Sequence, residues 1–200
     1  MISIIDYGMG NSASVKKAFD FLNIKCNITS SLDEIKLSDK ILIPGVGAYS
    51  DAVDALHELK LFEEIQELVL VKKKPILGIC LGMQLLANSS EESSDKEGFG
   101  FIDTQCKRFE CDLKIPHVGW NDIEVVNKDS LLFKNVLNHS DFYFVHSYHF
   151  DENIDEKSSV VDYGYKFTSS IEKDNIFGVQ FHPEKSQKYG LEILKNFGDI

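Results

Sequence analysis

The chain has 200 residues, 21 basic and 32 acidic, for a formal charge of −11 at pH 7. That length suits a single domain spanning residues 1–200, able to bury about 70% of its unfolded surface without disulfide staples. The acidic balance argues against nucleic acid and membrane surfaces as partners, since both are anionic. A hydrophobic fraction of 43% is too rich for a disordered chain.

Ile2–Asp6 reads as a buried strand, and Val15, Phe19 and Leu22 then fall on one helical face behind a cap at Asn11 or Ser12. Asn27–Thr29 is a weak second strand, and Lys40–Ile43 a third that Pro44-Gly45 ends. Helical spacing runs from Val53 through Val69, Pro75–Ile79 is a fourth buried strand, and a helix is expected over Leu81–Asn88. Repeated β-α order with continuous apolar strands predicts an α/β fold: a central, mostly parallel sheet flanked by helices. Ser89 to Gly100 is polar and reads as a loop. The C-terminal half is β-rich, with strand-like Ile123–Val126, Phe142–His149, Ser159–Val161, Phe167–Ile171 and Ile176–Val179 before a helix over Lys188–Phe197.

Arg108 is the only arginine, so the guanidinium fork that usually clamps phosphate is nearly absent. Cys26, Cys80, Cys106 and Cys111 have no CxxC spacing and suit a reducing compartment. The longest mainly apolar stretch, Pro75 to Ala87, is shorter than the roughly 20 residues of a membrane helix. No leader pattern precedes Ile2, and a cytoplasmic protein is expected.

Gly78-Ile79-Cys80-Leu81-Gly82 puts a cysteine between glycines where a buried strand meets a helix. This is the thiol form of a nucleophile elbow, in which a sharp turn lifts the nucleophile above the sheet. The helix start would favour thiolate and aim the Leu81 amide at a developing oxyanion. The other reading is a buried, inert cysteine among packing glycines.

His182-Pro183-Glu184 supplies a possible base and orienter. Pro183 drives His182 into the extended region, and two residues apart on a strand-like backbone the imidazole and carboxylate project to one side. Pro44-Gly45-Val46-Gly47, between a strand and a helix, could add oxyanion donors or be only a tight turn. Gly8-Met9-Gly10-Asn11-Ser12-Ala13 matches a dinucleotide fingerprint. Asp33 lies about 20 residues on, yet inside the next expected helix rather than at a strand end, which weighs against a dinucleotide-binding regulatory domain. His117, His146 and His149 sit among aromatics and read as core or interface residues, and Cys106 and Cys111 lack a histidine at zinc-ligand spacing.

With Cys80 in Gly-Ile-Cys-Leu-Gly-Met-Gln and His182-Pro-Glu184 in place, the chain resembles the class I glutamine amidotransferases. Ile5-Asp6-Tyr7-Gly8-Met9-Gly10-Asn11, Pro116-His117-Val118-Gly119-Trp120-Asn121, Tyr143-Phe144-Val145-His146-Ser147-Tyr148 and Lys185-Ser186 are similar to the glutaminase subunits of imidazole glycerol phosphate synthases within that family. The resemblance runs from residue 4 to about 186. It implies a flavodoxin-like sheet and hydrolysis of glutamine to glutamate and ammonia, with Cys80 as nucleophile, His182 as proton shuttle and Glu184 holding His182. It implies oxyanion donors at Gly45, Val46, Gly47 and Leu81, and glutamine binding by Gly47, Gln84, Glu92, Ser147 and Tyr148. No cofactor or metal is implied. The implied partner is a cyclase subunit with a (β/α)8 barrel, docked on Asn11, Trp120, Asn121, Tyr143 and Lys185, which turns the ammonia into imidazole glycerol phosphate with an AICAR by-product in histidine biosynthesis. Relatives in surface-sugar pathways feed a different acceptor. The family often carries Phe where Tyr49 stands and an aromatic where His149 stands.

Overall fold

The computed structural model describes residues 1–200. Its centre is an eight-stranded sheet in the order β2-β1-β3-β4-β14-β13-β12-β9. The parallel part holds β1 (Ile2–Ile5), β2 (Cys26–Thr29), β3 (Lys40–Ile43), β4 (Ile76–Ile79) and β14 (Ile176–Val179). β13 (Lys166–Lys173), β12 (Lys157–Asp162) and the two-residue β9 (Glu124–Val125) extend it antiparallel.

The parallel strands are apolar without interruption because both faces are covered. Ile41 and Ile43 of β3 face one buried cluster and Leu42 the other; in β4, Ile76 faces the first while Leu77 and Ile79 face the second. Truncating a fully buried side chain in either layer to Ala would cost about 2–5 kcal/mol.

Helices α1 (Ser12–Phe21), α2 (Leu32–Leu37) and α6 (Gln187–Asp199) lie where the spacing predicted helix. The segment expected as one helix over Val53–Val69 is two, α3 (Tyr49–Glu58) and α4 (Phe62–Leu70). Lys60 takes a left-handed φ of 56° and the Leu61 amide returns to the Leu56 carbonyl, which closes α3 and buries Leu61.

The expected helix over Leu81–Asn88 is a single turn, α5 (Leu81–Gln84). The chain then enters β5 (Ala87–Ser90), and the stretch expected as a loop continues as β6 (Ser93–Glu97). β5 lies between β6 and β7 (Ile102–Arg108), with β11 (Tyr148–His149) on the far side of β7. Local composition gives no strand signal here, because these polar strands owe their state to pairing, β5 along β7 and β6 along β5. β8 (His117–Asp122) and β10 (Asp141–His146) form a separate antiparallel pair. No helix is long and apolar enough to cross a membrane.

Candidate active site

Cys80 ends β4 and begins α5 with φ of 54° and ψ of −110°, a backbone that non-glycine residues rarely adopt. The turn holds because β3 and α5 approach closely: a Cβ at Gly82 would lie 2.0 Å from the Ile43 carbonyl oxygen, and one at Gly45 would lie 2.6 Å from Leu81 Cβ. The cysteine is thus held at an elbow with 5% of its surface exposed, on a cavity of about 340 Å³.

Val46, Gly47, Leu81, Gln84, Glu92, Ser147 and Tyr148 line that cavity with Cys80, together with Pro116, Val145 and His146. Gly45 is buried behind it against α5. Glu92 carries a further contact, accepting the Tyr49 amide at the start of α3 across 3.1 Å. Gln84 donates its side-chain amide to the Tyr148 carbonyl at 3.0 Å and to Gln180 Oε1 at 3.2 Å.

His182 and Glu184 meet as expected, with Nδ1 donating to Oε1 at 2.9 Å and both side chains 1% exposed. Their backbone differs from the expectation. His182 is extended, but Pro183–Lys185 form a 3-10 turn instead of continuing as strand. Ser186 shapes this turn: its hydroxyl donates to the His182 carbonyl at 2.6 Å and accepts the Tyr143 amide at 3.0 Å. The His182 amide in turn donates to the Tyr143 carbonyl at 2.9 Å, so β10 holds the turn by both backbone groups of Tyr143.

With Nδ1 occupied, His182 Nε2 is the atom left for Cys80; it is buried and has no partner at full hydrogen-bonding geometry, a looseness common before substrate binds. Burial alone disfavours the imidazolium. Hydrogen bonding and charge from Cys80 and Glu184 outweigh it, raising the pKa to about 9. His182 is therefore protonated near neutral pH beside the Cys80 sulfur, an arrangement suited to nucleophilic attack followed by proton delivery to a leaving group. α5 is too short to carry a full helix dipole, so these side-chain partners stand where a longer helix was expected to act.

Trp120 and Tyr143 pair across β8 and β10 with ring centroids 6.0 Å apart, and Lys185 Nζ lies 5.5 Å from the Tyr143 centroid. Val118 and Trp120 are 55% and 48% exposed, so three of the expected partner-contact residues form one aromatic and cationic surface. Asn121 turns toward the protein, donating to the Asp162 carbonyl at 3.1 Å. Asn11 is the N-cap residue of α1, which packs beside the 3-10 turn.

His117, His146 and His149, which read as core or interface residues, are all buried, and His146 also lines the cavity. Burial lowers His117 to about 4 and holds His146 and His149 below the ordinary histidine value. The neutral His146 donates from Nδ1 to the Tyr148 carbonyl at 2.9 Å, so its Nε2 accepts from His117 Nδ1 at 3.0 Å. Gln180 and Tyr7 were missed. A glutamine inside the apolar Val179-Gln180-Phe181 run, two residues before His182, was an available signal of a polar group buried for a purpose. No group of three His, Cys, Asp or Glu side chains is placed to hold a metal ion.

A profile of the family "Glutamine amidotransferase class-I" matches residues 3–199. The chain belongs to the class I glutamine amidotransferase family. Similar relatives share nearly half its sequence along its whole length. The "Imidazole glycerol phosphate synthase subunit HisH 1" of Campylobacter jejuni is 47% identical over 202 residues, covering 100% of both chains. The corresponding HisH subunits of Moorella thermoacetica and Methanocaldococcus jannaschii are 44% and 45% identical, covering 100% of this chain and 94% and 100% of theirs. Among solved structures, a "glutamine amidotransferase" superposes with TM-score 0.77 at 16% identity, covering 98% of each chain. The glutaminase domain of Trypanosoma brucei CTPS superposes with TM-score 0.67 at 21% identity, covering 99% of this chain and 93% of that one. At these identities the structural neighbours speak to the fold, which is that of the amidotransferase family.

Proposed function

We propose that the chain is the glutaminase subunit of an imidazole glycerol phosphate synthase, acting in the cytoplasm as one domain over its 200 residues. The observation that carries the chemistry is Cys80, strained onto the elbow at a cavity with the buried His182–Glu184 pair behind it. Full-length identity of 47% to a HisH subunit supports the choice of synthase.

In this reading glutamine enters the cavity with its α-amino and carboxylate groups toward Gln84, Glu92, Ser147 and Tyr148. Cys80 Sγ attacks the side-chain carbonyl carbon, and the oxyanion is met by amides of Leu81 and the Gly45–Gly47 strap. His182 gives its proton to the leaving nitrogen, so ammonia departs and a thioester remains. Water, deprotonated by His182, cleaves the thioester to glutamate and restores the thiolate. Ammonia passes to a cyclase subunit, expected as a (β/α)8 barrel seated on Trp120, Tyr143 and Lys185. An acidic surface with one arginine fits this division: the chain handles a zwitterion and a neutral product, and phosphate recognition falls to the partner.

The test reconstitutes the chain with a cyclase subunit and the phosphorylated ribulosyl intermediate. Cys80→Ala should abolish glutamine-dependent synthesis while ammonium salts still support it. Glutamine hydrolysis that persists in Cys80→Ala overturns the nucleophile assignment. Hydrolysis stimulated only by a sugar-modifying enzyme, and not by any cyclase, overturns the acceptor.

A further inference from the structure

Cys80 Sγ has two neutral polar neighbours besides His182, and they act in opposite senses. The Val145 carbonyl, 3.8 Å away, can only accept, so it favours the thiol. Gln180 Nε2, 3.6 Å away on the 0%-exposed side chain that follows β14, can only donate.

We infer that Gln180 is a further catalytic residue of this site: its side-chain amide donates to the Cys80 sulfur and supports the thiolate through attack and departure. The direction of that donor follows from the network. The Tyr148 carbonyl can only accept, so Gln84 must turn its NH2 group toward it. The same NH2 group meets Gln180, which must answer with its oxygen. Gln180 is then left presenting N–H to the sulfur. Reversing either amide would set two donors or two acceptors face to face, at a cost that burial makes large.

Two features require such a donor. α5 is a single turn, so little dipole assists the thiolate. Tyr7 is held in its neutral form by burial and by Cys80 itself, and its hydroxyl donates to the Pro44 carbonyl at 2.5 Å, not to sulfur. The arrangement also ties the nucleophile to substrate binding, because Gln84 both lines the cavity and orients Gln180. Gln84 gives its side-chain N–H donors to Tyr148 and Gln180, which leaves its carbonyl oxygen as the side chain's unspent acceptor. This inference deepens the glutaminase reading and rests on it for the identity of the substrate.

The test measures alkylation of Cys80 in the full chain by iodoacetamide, quantified on the Cys80 peptide by mass spectrometry. Thiolate reacts and thiol does not, so the rate at pH 7 reports thiolate support. In Gln180→Met the rate at pH 7 should fall about tenfold, the scale of one lost hydrogen bond to a charged group. At pH 10 it should match the wild type within about twofold, because ionisation no longer depends on a donor. Gln84→Met should slow alkylation at pH 7 by a smaller factor in Gln180→Met than in the native background, since the part that acts by orienting the Gln180 amide is already lost there. Should Gln180→Met fail to fold, Gln180→Asn, one methylene short of the sulfur, carries the same expectation. A folded variant alkylated at the wild-type rate at pH 7 overturns the inference and leaves Gln180 a packing residue. Alkylation that depends on Gln180 in a protein that never hydrolyses glutamine, with or without a cyclase, sinks the glutaminase reading and keeps the thiolate assignment.

Discussion

Tyr7 donates its buried hydroxyl to the carbonyl of Pro44 at 2.5 Å, tying the turn after β1 to the strap that lines the cavity with Cys80. The contact continues along both segments: a Cβ at Gly10 would lie 3.2 Å from Pro44, and one at Gly47 2.6 Å from Met9 Cε. The Gly8–Ala13 segment that matches a dinucleotide fingerprint thus buttresses the strap, and Asp33 lies within α2 instead of ending β2. Tyr7→Phe removes only the hydroxyl and should lower kcat for glutamine hydrolysis about tenfold, less than the loss of an oxyanion donor outright. Steady-state kinetics on a variant that melts like the wild type decides it: unchanged kcat would mean the strap is positioned without Tyr7.

The raised pKa of His182 makes stability depend on pH in a definite direction. Its imidazolium is favoured in the folded state, so the stabilisation is complete below the unfolded value near 6.5 and is lost as pH climbs through about 9. Chemical denaturation should show stability declining across that window, by on the order of a few kcal/mol. Cys80→Ala deletes one of the two partners that raise the pKa, so its decline should be shallower and the His182 ring should titrate lower by NMR. An identical titration in both proteins would show that Cys80 does not pair with His182.

Ser186 holds the His182 turn to β10 through two hydrogen bonds. Ser186→Ala leaves the Tyr143 amide without a partner, at about 1–3 kcal/mol. A fall of about 2–10 °C in melting temperature is expected. Loss of kcat should exceed any rise in KM, because the turn positions the base and does not line the cavity. Restoration of both by Ser186→Thr would tie the effect to the hydroxyl, whereas failure of Thr with wild-type kcat in Ala would refute the positioning role.

Tyr49 buries a hydroxyl that finds no hydrogen-bond partner, at a position where the family often has Phe. Tyr49→Phe should stabilise the protein, by up to about 1–3 kcal/mol. The Tyr49 amide that meets Glu92 is untouched, so glutamine KM should not change. Thermal melting checks the first outcome, and destabilisation on losing the hydroxyl would contradict it.

Sequence alone determined the features that depend on neighbours along the chain. The continuous apolar runs of β1, β3 and β4 announce strands covered on both faces, since only a two-sided core calls for Ile41, Leu42 and Ile43 in a row. Glycines at Gly78 and Gly82 announce an elbow because no larger residue fits where β3, β4 and α5 converge. His182 and Glu184 are legible as a pair, but not the 3-10 turn that joins them, which Tyr143 of β10 holds. Tertiary structure decided what depends on distant partners. α5 stops after one turn and polar β5 becomes strand because β7 offers a hydrogen-bond ladder, a contact no local window contains. Likewise the direction of the Gln180 amide follows from Tyr148, Gln84 and Cys80, three segments joined only when the sheet closes around the cavity.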